Sequence, residues 1–337
     1  MTTVNSPDKK TRLDVAVVWG GVAFSFFFTF LMWVAGQRFA DIPHPPEPSE
    51  IWYEWKLVEP TFWGGVTAWG FYILHQLIIW YLIYYAQTRV KKYTTGLHKV
   101  NIAALAVTAF FIVLHFVQTQ IWYDGLAQHF DTGTSAQYSV ILLLVWVLLM
   151  ENSRRGLFFG KKLPFPKHVN RFARKYHGYV FAWATIYTFW FHPMEITGGH
   201  LFGFFYMFLL LLQGSLFFTR VHTNRWWMFV QEALVLLHAV MVAVTQSPAA
   251  VRMFGFGFAL ILVVTQLYGL GLGKWVKGAV TAVFVVSVIW VYSQAGWGNV
   301  NEVFRIPVIE YLMVVVLGLI FFAGQWIYQR LKPEPAV

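Results

Sequence analysis

The chain has 337 residues, of which 58% are hydrophobic, 20% aromatic and only 12% charged, with a mean hydropathy of +0.55. Soluble domains carry about 25% charged residues, so this composition points to a membrane protein and away from two or three soluble domains. The formal net charge of +10 is confined to short stretches beside apolar runs, leaving no separate basic face for nucleic acid, and the lack of any cysteine excludes disulfides, thiolate iron–sulfur or haem ligation and covalent haem attachment.

A bilayer-spanning helix needs about 20 mostly apolar residues. Ten such runs are read, over 15–35, 63–87, 99–122, 137–152, 177–193, 200–220, 226–245, 252–272, 276–294 and 307–329, the fourth and fifth being short. The expected fold is therefore all-α, a polytopic integral membrane helical bundle. It comprises a cytoplasmic tail over 1–14, a single transmembrane domain over 15–329 and a second cytoplasmic tail over 330–337. Within the domain, 98–246 is the histidine-rich core and 252–329 a scaffold. The run Val15 to Ala35 exceeds the length of a signal-peptide core and no convincing cleavage site follows it, so it reads as a retained first span.

Loop charges set the orientation. Arg89, Lys91, Lys92 and Lys99 flank the second connection, and Arg154, Arg155, Lys161, Lys162, Lys167, Arg171, Arg174 and Lys175 fill 153–177 without an acid. Arg220, Arg225, Lys274, Lys277, Arg330 and Lys332 fall on the same side when the spans alternate. The opposite side opens with Asp41, Glu47, Glu50, Glu54 and Glu59. The positive-inside rule then places both termini in the cytoplasm, with the bacterial inner membrane as the expected location. Pro43, Pro45, Pro46 and Pro48 keep the first external loop extended, and Trp52, Tyr53 and Trp55 read as an interfacial belt or a docking surface. The stretch 153–177 reads as an amphipathic connector on anionic headgroups and carries no phosphate-binding glycine pattern.

Five of the eleven histidines, His177, His192, His200, His222 and His238, fall between Tyr176 and Gln246. Imidazole in hydrocarbon is costly unless paired or bound, so each is a candidate for function. At about 1.5 Å per residue, His177 and His192 are about 22 Å apart, His98 and His115 about 25 Å and His222 and His238 about 24 Å, if each pair shares one helix. Two layers result: His98, His177 and His222 toward the cytoplasm, and His115, His192, His200 and His238 in the outer half. At about 100° per residue the pairs differ in phase by roughly 60°, 100° and 160°, the last suggesting that His222 precedes its helix, with Asn224 as cap.

This placement resembles the transmembrane b-type cytochromes, including the cytochrome b561 and ferric-reductase-like groups, over roughly residues 98–246. The resemblance implies two stacked b-type haems ligated by His177, His192, His222 and His238, with His98 and His115 next. It also implies electron transfer between a quinone or cytoplasmic donor and an external acceptor, with redox partner subunits. Two further readings stand beside it. The turn His192-Pro193-Met194-Glu195 and Gly198-Gly199-His200 is a candidate non-haem iron or copper site on His192, Glu195 and His200, although desaturase-type His-x-x-His boxes are absent. A proton-coupled transporter would use intramembrane His and Glu residues as relays. Glu232 is expected to relay protons or pair with an arginine such as Arg220, and Glu151 to form a plain salt bridge beside the arginines. Gln118, Gln120, Gln213, Gln231, Gln266 and Glu310 are the remaining polar residues inside spans. His75 is read as a hydrogen-bonding histidine or a quinone-site residue, and His44, His129 and His168 as solvated loop residues.

Overall fold

The computed structural model describes residues 9–44, 55–130, 136–244 and 247–331. Among the described residues there are ten α-helices and no strand: α1 (Lys9–Gly36), α2 (Phe62–Arg89), α3 (Lys99–Trp122), α4 (Ala136–Arg155), α5 (Lys167–Phe191), α6 (Gly198–Ser215), α7 (Arg225–Val244), α8 (Pro248–Val264), α9 (Lys274–Ala295) and α10 (Glu302–Leu331). Eight of them, all but α4 and α5, are long and apolar enough to cross a membrane. Large apolar side chains face outward on these helices, including Trp19, Phe26, Phe27 and Phe30 on α1 and Trp275, Val283, Val286 and Trp290 on α9. Water does not tolerate contiguous apolar surface on this scale, whereas lipid does. The architecture is helical and membrane-like.

Local chemistry explains where the helices start. Thr61, Thr197 and Ser247 each accept a hydrogen bond from the backbone N–H three residues on, at Gly64, His200 and Ala250, and Pro248 occupies the first position of α8, where no N–H is needed. Asn224 Oδ1 accepts from the N–H groups of Trp226 and Trp227 and so caps α7, leaving His222 in the turn before it as its phase suggested.

Several boundaries differ from expectation: α8 ends at Val264, eight residues before the expected end, α6 ends five residues early and α10 begins five residues early, and two further differences fall at helix starts. The helix α1 begins at Lys9, so part of the 1–14 tail is helical, and α5 begins at Lys167, ten residues before the expected span. Pro164 and Pro166 end the connector. Between them and Gly178 lie mostly Lys, Arg, Phe, Ala and His, with no helix breaker, so the basic stretch continues the apolar helix. The tips of the first external loop, with Trp52 and Tyr53, and Gln246 lie outside the described residues.

The chain packs as two compact units, each assembled from separated stretches: 1–140 with 178–231, and 141–177 with 232–337. In the first unit α2 packs on α3, and α1 and α3 on α6. Its core is aromatic: Phe28, Phe111, Phe189, Trp190, Phe191, Phe204 and Phe208 are buried, with T-shaped contacts such as Phe28–Phe208 at 5.6 Å between ring centroids.

In the second unit α8 packs on α9 and α10. Gly257 of α8 lets Ile306 of α10 approach, since a Cβ there would lie 3.0 Å from Ile306 Cβ. At one end Arg252 of α8 is forked onto Glu302 of α10 (Nε–Oε2 2.9 Å, Nη2–Oε1 3.1 Å), and Tyr292 of α9 donates to the same carboxylate at 3.0 Å. One carboxylate thus fastens three helices.

Candidate functional sites

The first unit gathers its polar groups where α3 ends, α5 ends and α6 begins. Tyr123, the residue after α3, has left-handed backbone geometry, with φ at 44°. A bulky residue adopts this conformation only when its surroundings hold it, at a cost of about 1–3 kcal/mol. Its hydroxyl donates a short hydrogen bond to Glu195 Oε2, and its ring packs against Phe39 at 4.9 Å. Glu195 Oε1 accepts from Ile196 N at 2.5 Å, so both carboxylate oxygens are engaged. Burial and the neighbouring Glu195 carboxylate raise the Tyr123 phenol above its ordinary value.

Asp124 follows, 1% exposed. Its Oδ1 accepts from Gly125 N at 2.7 Å, while Oδ2 has no hydrogen-bond partner and lies over the first turn of α2, where a Cβ on Gly64 would come within 2.5 Å of it. Burial pushes its carboxyl up to about 6.

Three of the four histidines expected in the outer layer, His115, His192 and His200, lie at the same place, and His238 does not belong to this unit. His115 Nε2 lies 2.9 Å from the His192 carbonyl and Nδ1 3.2 Å from Gln118 Oε1. A neutral imidazole donates once and accepts once, so the first bond fixes Nε2 as donor and Nδ1 is best served by the Gln118 amide nitrogen, reached by rotating that amide. The His192 and His200 rings are 5.2 Å apart, edge to face, and His200 Nδ1 lies 2.8 Å from Thr197 Oγ1. Of the expected set His192, Glu195 and His200, the two histidine rings are neighbours. Glu195 belongs to a different set of bonds, with Tyr123, and among the described residues no three His, Asp or Glu side chains are placed to hold a metal ion. Deeper in this unit, His75 stacks on Phe111 (4.3 Å, 10°) and accepts from Trp190 Nε1 at 3.3 Å, while Trp190 also packs on His115 at 4.3 Å. His75 carries its proton on Nε2, which has no hydrogen-bond partner.

Of the remaining histidines, His98 and His222 serve a helix start and a turn, whereas His177 and His238 lie within helices. His98 Nε2 lies 3.0 Å from Thr94 Oγ1, and its backbone N–H donates to Asn101 Oδ1 as α3 begins. His222 Nδ1 lies 3.0 Å from the Gln213 carbonyl. His177 belongs to the second unit, with Nδ1 2.6 Å from the Arg174 carbonyl, and His238 lies on α7 in that unit. His44, His129 and His168, expected to be solvated, also have partners: the Lys56 carbonyl, Trp69 Nε1 and the Phe322 ring. To ligate iron, His115 would have to surrender one of two hydrogen bonds and His98 the one at Nε2.

The second unit has a different chemistry. Arg155, at the end of α4, is 5% exposed and directs Nη1 at both oxygens of Glu232 on α7, at 2.9 and 2.7 Å. The partner of Glu232 is therefore Arg155, not Arg220. Glu151 pairs with Arg154, as expected, and Asn152 clamps Leu163 through both its main-chain groups. Arg154 and Arg155 are thus tied to acids on α4 and α7. Glu232, Gln266 and Glu310 share a narrow cavity of about 20 Å³, room for about one water molecule, with Leu144, Leu148, Val235 and Ile261. Glu310 is 2% exposed, its Oε2 has no hydrogen-bond partner, and no cation pairs with it among the described residues. Sequence reasoning named Glu310 only as a polar residue and passed over Tyr123, Asp124 and Arg155 as site residues. Adjacency of Tyr123 and Asp124 to the end of an apolar run was the available signal.

Compared with known protein families, with curated proteins and with solved structures, the chain matches none.

Proposed function

We propose that this chain is an integral membrane protein that conducts protons as part of a transport cycle, a proton-coupled transporter, with ten transmembrane helices and both termini in the cytoplasm. The observation that carries the reading is Glu310. It is a buried carboxyl with an oxygen that no protein group satisfies, and it shares a water-sized cavity with Glu232 and Gln266. Intramembrane carboxyls placed in this way mark proton and ion pathways. Asp124, with one orphan oxygen, is the corresponding group of the first unit. In the cavity, a water bridging Glu310 and Glu232 would pass a proton between two carboxyls, with Arg155 stabilising the charge left on Glu232.

The test is proton flux into liposomes carrying the purified protein and a trapped pH-sensitive dye, driven by an imposed membrane potential. Wild-type protein is expected to acidify the lumen faster than empty liposomes. Glu310→Gln is expected to slow this by about a hundredfold, the usual loss when a proton-transferring group is removed. Equal flux in wild type, variant and empty liposomes would end this reading. A Soret band in the purified protein would return attention to b-type haem on the histidines.

A further inference from the structure

We propose that the second unit carries a binding groove for one anionic phospholipid along α9. The groove is a single stripe of that helix: Lys274, Lys277, Gly278, Thr281, Ala282, Val285 and Val286, at the three- and four-residue spacing that puts side chains on one face. Phe159 and Tyr268 form its opposite wall near the lysines, and its volume is about 660 Å³.

The order of residues along the stripe matches the order of groups along a phospholipid. Lys274 and Lys277 stand at the start of the helix, where a phosphate would sit. Lys277 Nζ lies 4.6 Å from the centre of the Tyr268 ring, and the Phe159 and Tyr268 rings meet edge to face at 6.1 Å. The ammonium is therefore held over an aromatic floor rather than left to sweep through solvent.

Next come Gly278, Thr281 and Ala282, small side chains that leave width for a glycerol backbone; a Cβ on Gly278 would meet nothing within 4 Å. Val285 and Val286 follow, both exposed. From Lys277 to Val286 the helix descends about 13 Å, close to half of a ~30 Å hydrocarbon core, so a charged head at the lysines places its acyl chains against the valines. No acidic residue lines the groove. A soluble anion would use the lysines and leave the valines idle. A second helix would use the valines and bury the lysines without a counter-charge. A lipid with a negative headgroup uses the whole stripe. Basic pockets at the ends of membrane helices recognise such lipids, each lysine near the surface being worth about 1 kcal/mol.

The experiment is lipid retention and exchange measured by native mass spectrometry on the full-length protein in detergent, titrated with phosphatidylglycerol or phosphatidylcholine. One phosphatidylglycerol is expected to bind in clear preference to phosphatidylcholine. Lys274→Gln with Lys277→Gln should weaken it by roughly thirtyfold, and either change alone by about fivefold. Lys274→Arg with Lys277→Arg should retain it. Ala282→Trp, which keeps both charges and fills the groove, should also lose the lipid, so that a folding defect in the glutamine variant does not decide the matter. Equal binding of the two lipids, unchanged binding in both the glutamine and tryptophan variants, displacement by inorganic phosphate alone, or a dimer that Ala282→Trp dissociates would each overturn the proposal.

Discussion

The two units solve the problem of polar groups in an apolar interior in opposite ways. The first hides imidazoles and carboxyls among aromatic rings and pairs most of them with neutral groups: Trp190 donates to His75, His115 donates to the His192 carbonyl, and the Tyr123 hydroxyl donates to Glu195. The second uses full charges in pairs, Arg155 with Glu232 and Arg252 with Glu302. A neutral hydrogen bond contributes modestly and is lost modestly. A buried ion pair contributes little net stability, yet breaking it strands a charge. The first unit should therefore respond to substitution in proportion to the volume removed, and the second in proportion to the charge left alone.

The largest effect is expected from Arg155→Met. It leaves the Glu232 carboxylate buried without its cation and should cost about 3–5 kcal/mol, whereas Arg155→Met combined with Glu232→Leu should recover most of the loss. Chemical or thermal unfolding of the two variants in one detergent checks this, and equal losses would contradict the charge-based account. In the first unit Trp190→Ala should cost about 3–5 kcal/mol through volume, plus the orphaned His75 Nδ1. Trp190→Phe, which keeps most of the volume, should cost only the hydrogen bond, about 1 kcal/mol.

A smaller effect follows from Asp124, whose carboxyl is pushed up to about 6 by burial. A raised folded-state value means that ionisation opposes folding. The penalty is absent below about pH 4, grows as pH rises, and is complete above about pH 6, reaching about 3 kcal/mol at most. Stability should therefore fall across that window in the wild type, and Asp124→Asn should flatten the fall. An unchanged pH profile would show that Asp124 is solvated. The smallest expected effect is Thr61→Ala, which removes the cap of α2 for about 1 kcal/mol.

The apolar runs were readable because a helix in lipid must be long and uninterrupted. Each of the ten helices overlaps a run read from sequence. What escaped was the boundary of α5, since charge marked Lys167–Lys175 as a loop while nothing in it forbids a helix. The meeting of His192 and His200 was readable from one tight turn. Partners distant in sequence were not: Glu232 finds Arg155, 77 positions away, and Glu195 finds Tyr123, 72 positions away. Periodicity reports which face a residue occupies but not which helix lies opposite.

Tyr123 shows what such a distant pairing does to the backbone. Its own hydroxyl, tied to Glu195, is what keeps the chain bent into a conformation that its side chain disfavours. The phenol acts as a catch on a loaded spring. Cutting it with Tyr123→Phe would free the exit of α3 to relax. Tyr123→Gly would instead remove the load itself, leaving a turn that needs no catch.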